Sequence, residues 1–476
     1  MGSRRSSLTF GALAVWLLAL ALVRPLSVDE SQYVAATALA AKGLLPYRDF
    51  AYLQVPLQPL VFAPLGWLFP DHLLIAMRVV NALLSLATIV FVYGAARGIG
   101  ARQGSALVSA AMLASCQSFI WSAGIARNDM LPAALMAFGL WYFVAGSART
   151  RFVAGVLFGL AAGTKISYAV PSATIFVAGL WTRNPAEWRR ALAFAAGVAV
   201  GLVPAMIVAA MAPRAFLAEA IVFPGTAPTQ YYTSISKAWR LGPARFLQLL
   251  ECAAIGPALI AAIEIGRRSW KERWWDDPVR RALLAAVAGG LISAILNKPF
   301  QIFYLLPALP PLFVLAPLLF SGKRPRWLSG AWALFAVVGL VPALAWFVRA
   351  GSGGAPALDA DRRSAALAAA LRDEQVQGSI GTLAGQYVAS VDPRFAAGPF
   401  LYRTRGFLSS SEAREWKIVT QDQIDGLSES PPSAIVTGVH ADSQPELEAK
   451  LGQQAQALGY RPTANVAGFT IWTRRP

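Results

Sequence analysis

Two acidic residues stand side by side just after an apolar run ends. The run covers residues 8–23, and Asp29 and Glu30 follow it in the stretch PLSVDESQYVAATALA. A carboxylate is costly to hold at the edge of a hydrophobic segment. One explanation is a helix start, where the macrodipole favours negative charge. The other is an enclosed polar site. The chain has only two histidines, so catalysis there would fall to carboxylates, lysine, arginine and tyrosine.

Three further segments carry charged or polar residues at the ends of apolar runs. They read AGIARNDMLP, GLAAGTKISYAVP and ILNKPFQIFYLLPALPP, and they contribute Arg127, Asp129, Lys165, Lys298, Gln301 and Tyr304. Taken singly, each basic residue can be a snorkelling anchor, and Asp129 can be a helix start. Because a charge at the bilayer centre costs roughly 2.5 to 3.5 kcal/mol, several at one depth need partners or a water-filled site.

The composition identifies the elements that must position these residues. The apolar fraction is 56%, charged residues make up 14%, and the mean hydropathy is +0.50. A soluble chain is about 25% charged, so this composition indicates a membrane protein. Cys116 and Cys252 lie far apart in apolar runs and suggest neither a disulfide nor a metal site.

A membrane span needs roughly 20 mostly apolar residues. Eleven spans are predicted, with the fifth and sixth interrupted by Gly159, Gly163 and Pro171. The predicted spans are 8–24, 73–96, 104–122, 130–147, 151–163, 165–182, 190–211, 245–266, 280–297, 302–320 and 327–348.

The net charge of +17 is explained by topology rather than by nucleic-acid binding. Basic residues such as Arg97, Arg149, Arg190 and Arg267 crowd into alternate short joints, as the positive-inside rule expects of the cytoplasmic face. The N-terminus is therefore predicted to be cytoplasmic. A cleaved signal peptide is the alternative for the first span, but both interpretations put Asp29 outside.

The chain divides into three predicted parts. Residues 1–349 form the membrane domain, residues 350–358 form a Gly/Pro/Ala linker, and residues 359–476 form a small extracytoplasmic α/β domain. Strand-like runs lie at 378–391, 433–438 and 466–474, with a helical pattern at 446–458.

Two outer loops are long. The loop after the first span, about 48 residues, is predicted to contain two short amphipathic helices lying in the interface, after Tyr33 and after Pro56. The loop at 213–244 is polar, and we expect it to form a lid. Its Tyr231 and Tyr232 would stack on a sugar, or alternatively anchor the loop in the interface.

These motifs together carry a family resemblance. The acidic pair in VDESQY, then LPYRDF, ARNDML, GLAAGTK and KPFQIFYLLPALP resemble the GT-C glycosyltransferases, and most closely the protein O-mannosyltransferase and lipid A aminoarabinose transferase group. The resemblance covers roughly residues 8–320. It implies a polytopic helical domain in a bacterial inner membrane that moves a sugar from a polyprenyl-phosphate donor to a lipid, glycan or protein acceptor.

The resemblance also implies residue roles. Asp29 matches the catalytic base, with Glu30 as a neighbour that orients it or raises its pKa. Asp129 matches a second acidic residue that binds substrate or holds Arg127. Arg127, Lys165 and Lys298 would bind the donor phosphate. The residues expected to contact substrate are Tyr33, Tyr47, Asp49, Tyr231, Tyr232, Gln301 and Tyr304.

Some features leave alternatives open. The first loop lacks the His-Pro-Pro element of the aminoarabinose transferases, so substrate identity does not transfer. Asp29, Glu30 and Asp129 could hold Mg²⁺ or Mn²⁺ through oxygen ligands, although the many cations near them favour no metal. A lipid transporter or flippase is the competing class, but its polar groups usually lie near the membrane midplane.

Overall fold

The computed structural model describes residues 2–320, 326–404, 408–438 and 444–474. A bundle of helices makes up most of the chain and a small sheet lies near its C-terminus. The helices of the first part are α1 Gly2–Val23, α2 Glu30–Ala41, α3 Leu57–Leu68, α4 Leu73–Gly98, α5 Gln103–Leu113, α6 Gln117–Ala123, α7 Met130–Val144, α8 Ala148–Thr164, α9 Ala169–Leu180, α10 Pro185–Met211, α11 Pro213–Phe216, α12 Phe223–Ser234, α13 Ala244–Ala254, α14 Ala258–Glu272, α15 Pro278–Leu296, α16 Leu309–Leu315 and α17 Arg326–Gly353.

The prediction of eleven spans is not confirmed. Within the described residues, six helices are long and apolar enough to cross a membrane, or up to eight if each of two bent pairs is one span. The bent pairs are α5 with α6, at 69°, and α13 with α14, at 95°, where the sequence predicted the unbroken spans 104–122 and 245–266.

The two breaks contact each other. Gly256 at the second break has a φ of +120°, which favours glycine, and Pro257 follows it without an N–H to donate. The backbone N–H of Gln117 at the first break donates to the carbonyl of Ile255 at 3.0 Å. This one hydrogen bond pairs a donor of the first break with an acceptor of the second, as irregular backbone inside a membrane requires.

Four glycines join α8 to α10. A Cβ on Gly155 would lie 2.0 Å from the carbonyl oxygen of Phe194, and one on Gly201 would lie 2.2 Å from that of Val156. Gly159 and Gly197 are equally close to the opposite backbone. These two small-xxx-small patterns let the helices pack at backbone contact. Gly159 therefore belongs to a packing face and does not interrupt helix α8, which continues to Thr164.

The two helices predicted in the first outer loop are present as α2 and α3, but one is placed differently. All residues of α2 from Glu30 to Ala40 are buried. It packs between α3 and the C-terminal region, and so it does not lie in the interface. α3 keeps Val61, Trp67 and Leu68 exposed, as an interfacial helix would.

The C-terminal region carries the predicted mixture of helices and strands. Its helices are α18 Pro356–Asp373, α19 Pro399–Tyr402, α20 Ser410–Glu415, α21 Asp425–Glu429 and α22 Pro445–Ala457, and its strands are β1 Ile380–Thr382, β2 Ala434–Thr437, β3 Arg461–Val466 and β4 Phe469–Thr473. The sheet order is β1-β2-β4-β3, with β1 parallel to β2 and the other neighbours antiparallel. The predicted linker is mostly helical, because α17 ends at Gly353 and α18 begins at Pro356.

The C-terminal region is packed directly on α2. A Cβ on Gly385 would lie 2.7 Å from that of Ala35, and one on Gly398 would lie 2.9 Å from the hydroxyl of Ser31. Gly398 also has a φ of +54°, which only glycine adopts readily. This contact fixes the C-terminal region one helical turn from Asp29.

Candidate active site

A cavity of about 420 Å³ opens beside the start of α2. Its wall combines the first outer loop, the α6–α7, α8–α9 and α15–α16 connections, helix α12 and the C-terminal region. Nine of the residues predicted from the sequence line it: Asp29, Tyr33, Arg127, Lys165, Tyr231, Tyr232, Lys298, Gln301 and Tyr304. Segments far apart in the sequence therefore meet at one polar site.

An alternating row of charges forms one side of the cavity. Arg127 donates to the carboxylate of Asp29, and its Nε lies 3.2 Å from Oδ2 of Asp129. Lys165 donates to Oδ1 of Asp129. Asp29 keeps 31% of its side chain exposed, whereas the other three side chains are buried. Asp29 is thus the most exposed member of the row, while Arg127 and Lys165 line the cavity as largely buried side chains.

Neither acidic residue of this row acts as a helix cap. Asp29 and Asp129 occupy the N-cap positions of α2 and α7, yet neither side chain makes a cap hydrogen bond. Their oxygens contact Arg127 and Lys165 instead. Both carboxylates therefore lie at helix starts, where the macrodipole favours negative charge, and both also pair with the cations of the row, Asp129 with Arg127 and Lys165.

Buried amides and aromatic rings position the two cations. The side chain of Asn81 donates to the carbonyls of Ile125 and Arg127, at 2.6 and 3.0 Å. The ring of Phe303 lies 3.8 Å from the Arg127 guanidinium and 4.6 Å from Lys165 Nζ. A cation over a ring face is stabilised by about 0.5 to 2 kcal/mol. These contacts hold the charges at the wall.

Glu30 points away from the cavity although it is the neighbour of Asp29. It is fully buried and accepts two hydrogen bonds of 2.7 Å from Arg78. The backbone N–H groups of Ser27 and Ala126 also donate to it, each at 2.9 Å. Burial alone would raise the pKa of Glu30, but the Arg78 guanidinium holds that pKa below its usual value. Glu30 therefore joins α2 to α4. Its carboxylate pairs with Arg78, whereas that of Asp29 pairs with Arg127.

Two further predicted residues lie outside the cavity. Tyr47 is buried, has a φ of +69° and donates its hydroxyl to the carbonyl of Gln54. Asp49 pairs with Arg48 at 2.7 Å and accepts from the N–H of Leu45. The Arg48 hydrogen bond lowers the pKa of Asp49. Both residues shape the first outer loop behind Gln54, which does line the cavity.

The sequence reasoning missed several participants. Arg403 and Phe400 reach the cavity from the C-terminal region, which no motif of the membrane part signals. Glu219 lies in the polar loop next to the cavity-lining Ala220. It accepts a hydrogen bond from the N–H of Tyr52 at 2.8 Å, and burial raises its pKa well above the usual value. A carboxylate in the apolar stretch LAEAIV was the available signal.

The three candidate metal ligands do not converge. Asp29, Glu30 and Asp129 are directed at Arg127, Arg78 and Lys165 respectively. Across the part of the chain that the structure describes, no group of three or more His, Cys, Asp or Glu residues could hold a metal ion. The arrangement instead provides one accessible carboxylate next to fixed positive charge.

Comparison with known proteins adds the family. The model of glycosyltransferase family 87 matches residues 52–299, which is more than half of the chain and includes lining residues from five of the six segments of the cavity wall. The chain belongs to glycosyltransferase family 87. It is therefore a membrane glycosyltransferase. This family membership favours an enzyme over the transporter that the sequence left as an alternative. No curated protein sequence matches the chain significantly.

Solved structures confirm the GT-C fold of this family 87 member. ArnT from Cupriavidus metallidurans bound to undecaprenyl phosphate has a TM-score of 0.62 at 17% identity, covering 100% of this chain and 99% of that one. The oligosaccharyltransferase AglB from Archaeoglobus fulgidus, in complex with an inhibitory peptide and a dolichol-phosphate, has a TM-score of 0.52 at 12% identity, covering 98% and 74%.

Proposed function

We propose that this protein transfers a sugar from a polyprenyl-phosphate donor to an acceptor hydroxyl, with inversion, and that Asp29 is the general base. The observation that carries the proposal is the position of the Asp29 carboxylate. It is exposed to the cavity on one side and contacts buried Arg127 on the other. Among the carboxylates of the row, it is the one that an acceptor can reach.

The reaction assigns each part of the cavity a task. The acceptor oxygen attacks the anomeric carbon while Asp29 takes its proton, a contribution of about 10²- to 10⁴-fold. The bond from that carbon to the phosphate oxygen breaks, and polyprenyl phosphate leaves as an anion. Fixed positive charge in a water-poor site stabilises that anion without reorganisation. Arg127, Lys165 and Lys298 are the proposed sources of this charge.

The donor class is supported by two neighbours. ArnT was solved with undecaprenyl phosphate and AglB with a dolichol-phosphate, and both share this fold. The rings of Tyr33, Tyr304, Tyr231 and Tyr232 and the amide of Gln301 surround the remaining space. Such groups suit a sugar, since they offer flat apolar faces together with hydrogen bonds.

We also propose an orientation for the reaction. The N-terminus would lie in the cytoplasm of a bacterial inner membrane, with the cavity and the C-terminal region on the outer face. Reporter fusions after Arg151 and Arg190 should then report cytoplasm, and one at Gly353 should report the outside. An outer signal at Arg190 would contradict this orientation.

Replacement of Lys165 tests the proposed donor contact. Purified wild type should release polyprenyl phosphate from a matching polyprenyl-phosphate sugar, and Lys165→Ala should slow this release by about 10- to 100-fold, the loss expected when one hydrogen bond to a charged group is removed. Lys271→Ala removes the same charge at an exposed position of α14 and serves as the control. Equal rates for both variants would reduce Lys165 to a structural anchor.

A further inference from the structure

The charges of the membrane part of the cavity largely neutralise one another. Arg127 contacts both Asp29 and Asp129, and Lys165 contacts Asp129. Two cations thus face two carboxylates. Opposite charges at such distances cancel much of each other's field. An incoming phosphate therefore gains less from this row than the number of basic residues suggests, and additional positive charge is needed.

The C-terminal region supplies such a charge. Arg403 follows α19 directly and lines the cavity. Its guanidinium lies 4.0 Å from the ring centre of Tyr231 and 5.0 Å from that of Phe400. Among residues 2–320, 326–404, 408–438 and 444–474, no carboxylate forms an ion pair with it. Burial lowers the pKa of Arg403 below its usual value, as expected of a partly desolvated cation.

A chain of contacts joins Arg403 to the opposite wall. The ring of Tyr231 meets that of Tyr232 edge-on at 5.4 Å, and the amide of Gln301 donates to the Tyr232 hydroxyl at 3.3 Å. Lys298, three residues before Gln301, is exposed at the same cavity. Arg403 and Lys298 therefore both bring positive charge to the cavity beside the Tyr231–Tyr232 pair. Asp29 attracts Arg403, but among the described residues neither cation forms an ion pair with the acidic row.

We propose that Arg403 binds the phosphate of the polyprenyl-phosphate donor, together with Lys298, so that the C-terminal region completes the donor site. This inference rests on the proposed function. A guanidinium presents a planar fork of donors that matches two phosphate oxygens. Contact with the rings of Tyr231 and Phe400 holds the guanidinium in place, which reduces the conformational entropy lost on binding. The membrane part alone would then bind the donor weakly.

The test measures the binding of polyprenyl phosphate and of the corresponding polyprenol to full-length protein in nanodiscs. Arg403→Gln should weaken polyprenyl phosphate binding by about 10- to 100-fold, the range for hydrogen bonds to a charged group. Polyprenol binding should not change, because the alcohol lacks the anion. Arg403→Lys should recover part of the affinity. Arg362→Gln, which removes an exposed arginine from α18, should bind like wild type.

The outcomes separate the inference from the function on which it rests. If wild type transfers sugar and Arg403→Gln binds polyprenyl phosphate normally, the donor role of Arg403 is overturned while the proposed function stands. If Arg403→Gln raises only the KM for the acceptor, Arg403 binds the acceptor and not the donor phosphate. The donor role is then also overturned. If wild type binds no polyprenyl phosphate and transfers no sugar, the proposed function itself fails.

Discussion

Asp29 and Glu30 are neighbours in the sequence but lie in two different regions. Asp29 belongs to the cavity row and is 31% exposed. Glu30 belongs to a sealed pair with Arg78, and both side chains are fully buried. Arg78 also donates to the carbonyls of Ala21, Arg24 and Pro25, at 3.1, 2.9 and 3.3 Å. One carboxylate can meet a substrate, and the other cannot.

The two neighbouring carboxylates have two different tasks. A buried ion pair with every hydrogen bond satisfied ties segments together and is costly to break. Here Glu30 and Arg78 join α4, the end of α1 and the start of α2. They hold the first turn of α2, and Asp29 is carried on that turn. The buried Glu30–Arg78 pair therefore positions Asp29 at the cavity.

Removal of Arg78 should have the largest effect on stability. Arg78→Met would leave the Glu30 carboxylate buried without its hydrogen-bonded counter-charge, a change that typically costs about 3 to 5 kcal/mol. The yield of folded protein and the Tm in detergent should fall accordingly. The double variant Arg78→Met/Glu30→Met should recover part of the loss, because the buried carboxylate is removed together with its partner. An Arg78→Met protein as stable as Asp29→Asn would contradict the division between the two regions.

The pH dependence of stability should come from the sealed pair. The pKa of Glu30 is lower in the folded protein than its unfolded value of about 4.3. Its stabilisation is therefore fully present above about pH 4.3 and is lost as the pH falls through the folded value. The Tm of wild type should drop more steeply below about pH 4 than that of Glu30→Gln. Parallel Tm curves for the two proteins would argue against a carboxylate held ionised by Arg78.

The smallest effect is expected at Asp49. It lies outside the cavity and pairs with its exposed neighbour Arg48, so Asp49→Asn should change the transfer rate by less than about two-fold, the size expected of a substitution away from the site. The same assay applied to Tyr231→Ala should show a larger loss, since Tyr231 lines the cavity. A strong loss in Asp49→Asn alone would extend the site beyond the cavity.

The sequence indicated many residues of the site in the membrane part, but not the contribution of the C-terminal region. Asp29, Arg127, Lys165 and Lys298 were predicted because charges at the ends of apolar runs need a common site. Arg403 could not be predicted, because its arrival depends on the packing of Gly385 and Gly398 against α2. Such long-range packing leaves no local pattern in the sequence.

The fold was predicted to a similar extent. Apolar runs located the helices, but they could not reveal the bends between α5 and α6 or between α13 and α14, because each break is satisfied by a distant partner such as Ile255. The sequence also could not show that the side chains of Glu30 and Asp29 have different surroundings. Which of two adjacent carboxylates faces the cavity depends on where Arg78 lies within α4.

The most direct test of Asp29 as the general base is single-turnover sugar transfer by Asp29→Asn, with binding of the polyprenyl-phosphate sugar measured on the same sample. The amide keeps the size of the side chain but cannot take a proton, so donor binding should persist while transfer falls by about 10²- to 10⁴-fold. Glu30→Gln should lose less transfer relative to its folded fraction. Near-normal transfer by Asp29→Asn would contradict the proposal that this carboxylate is the general base.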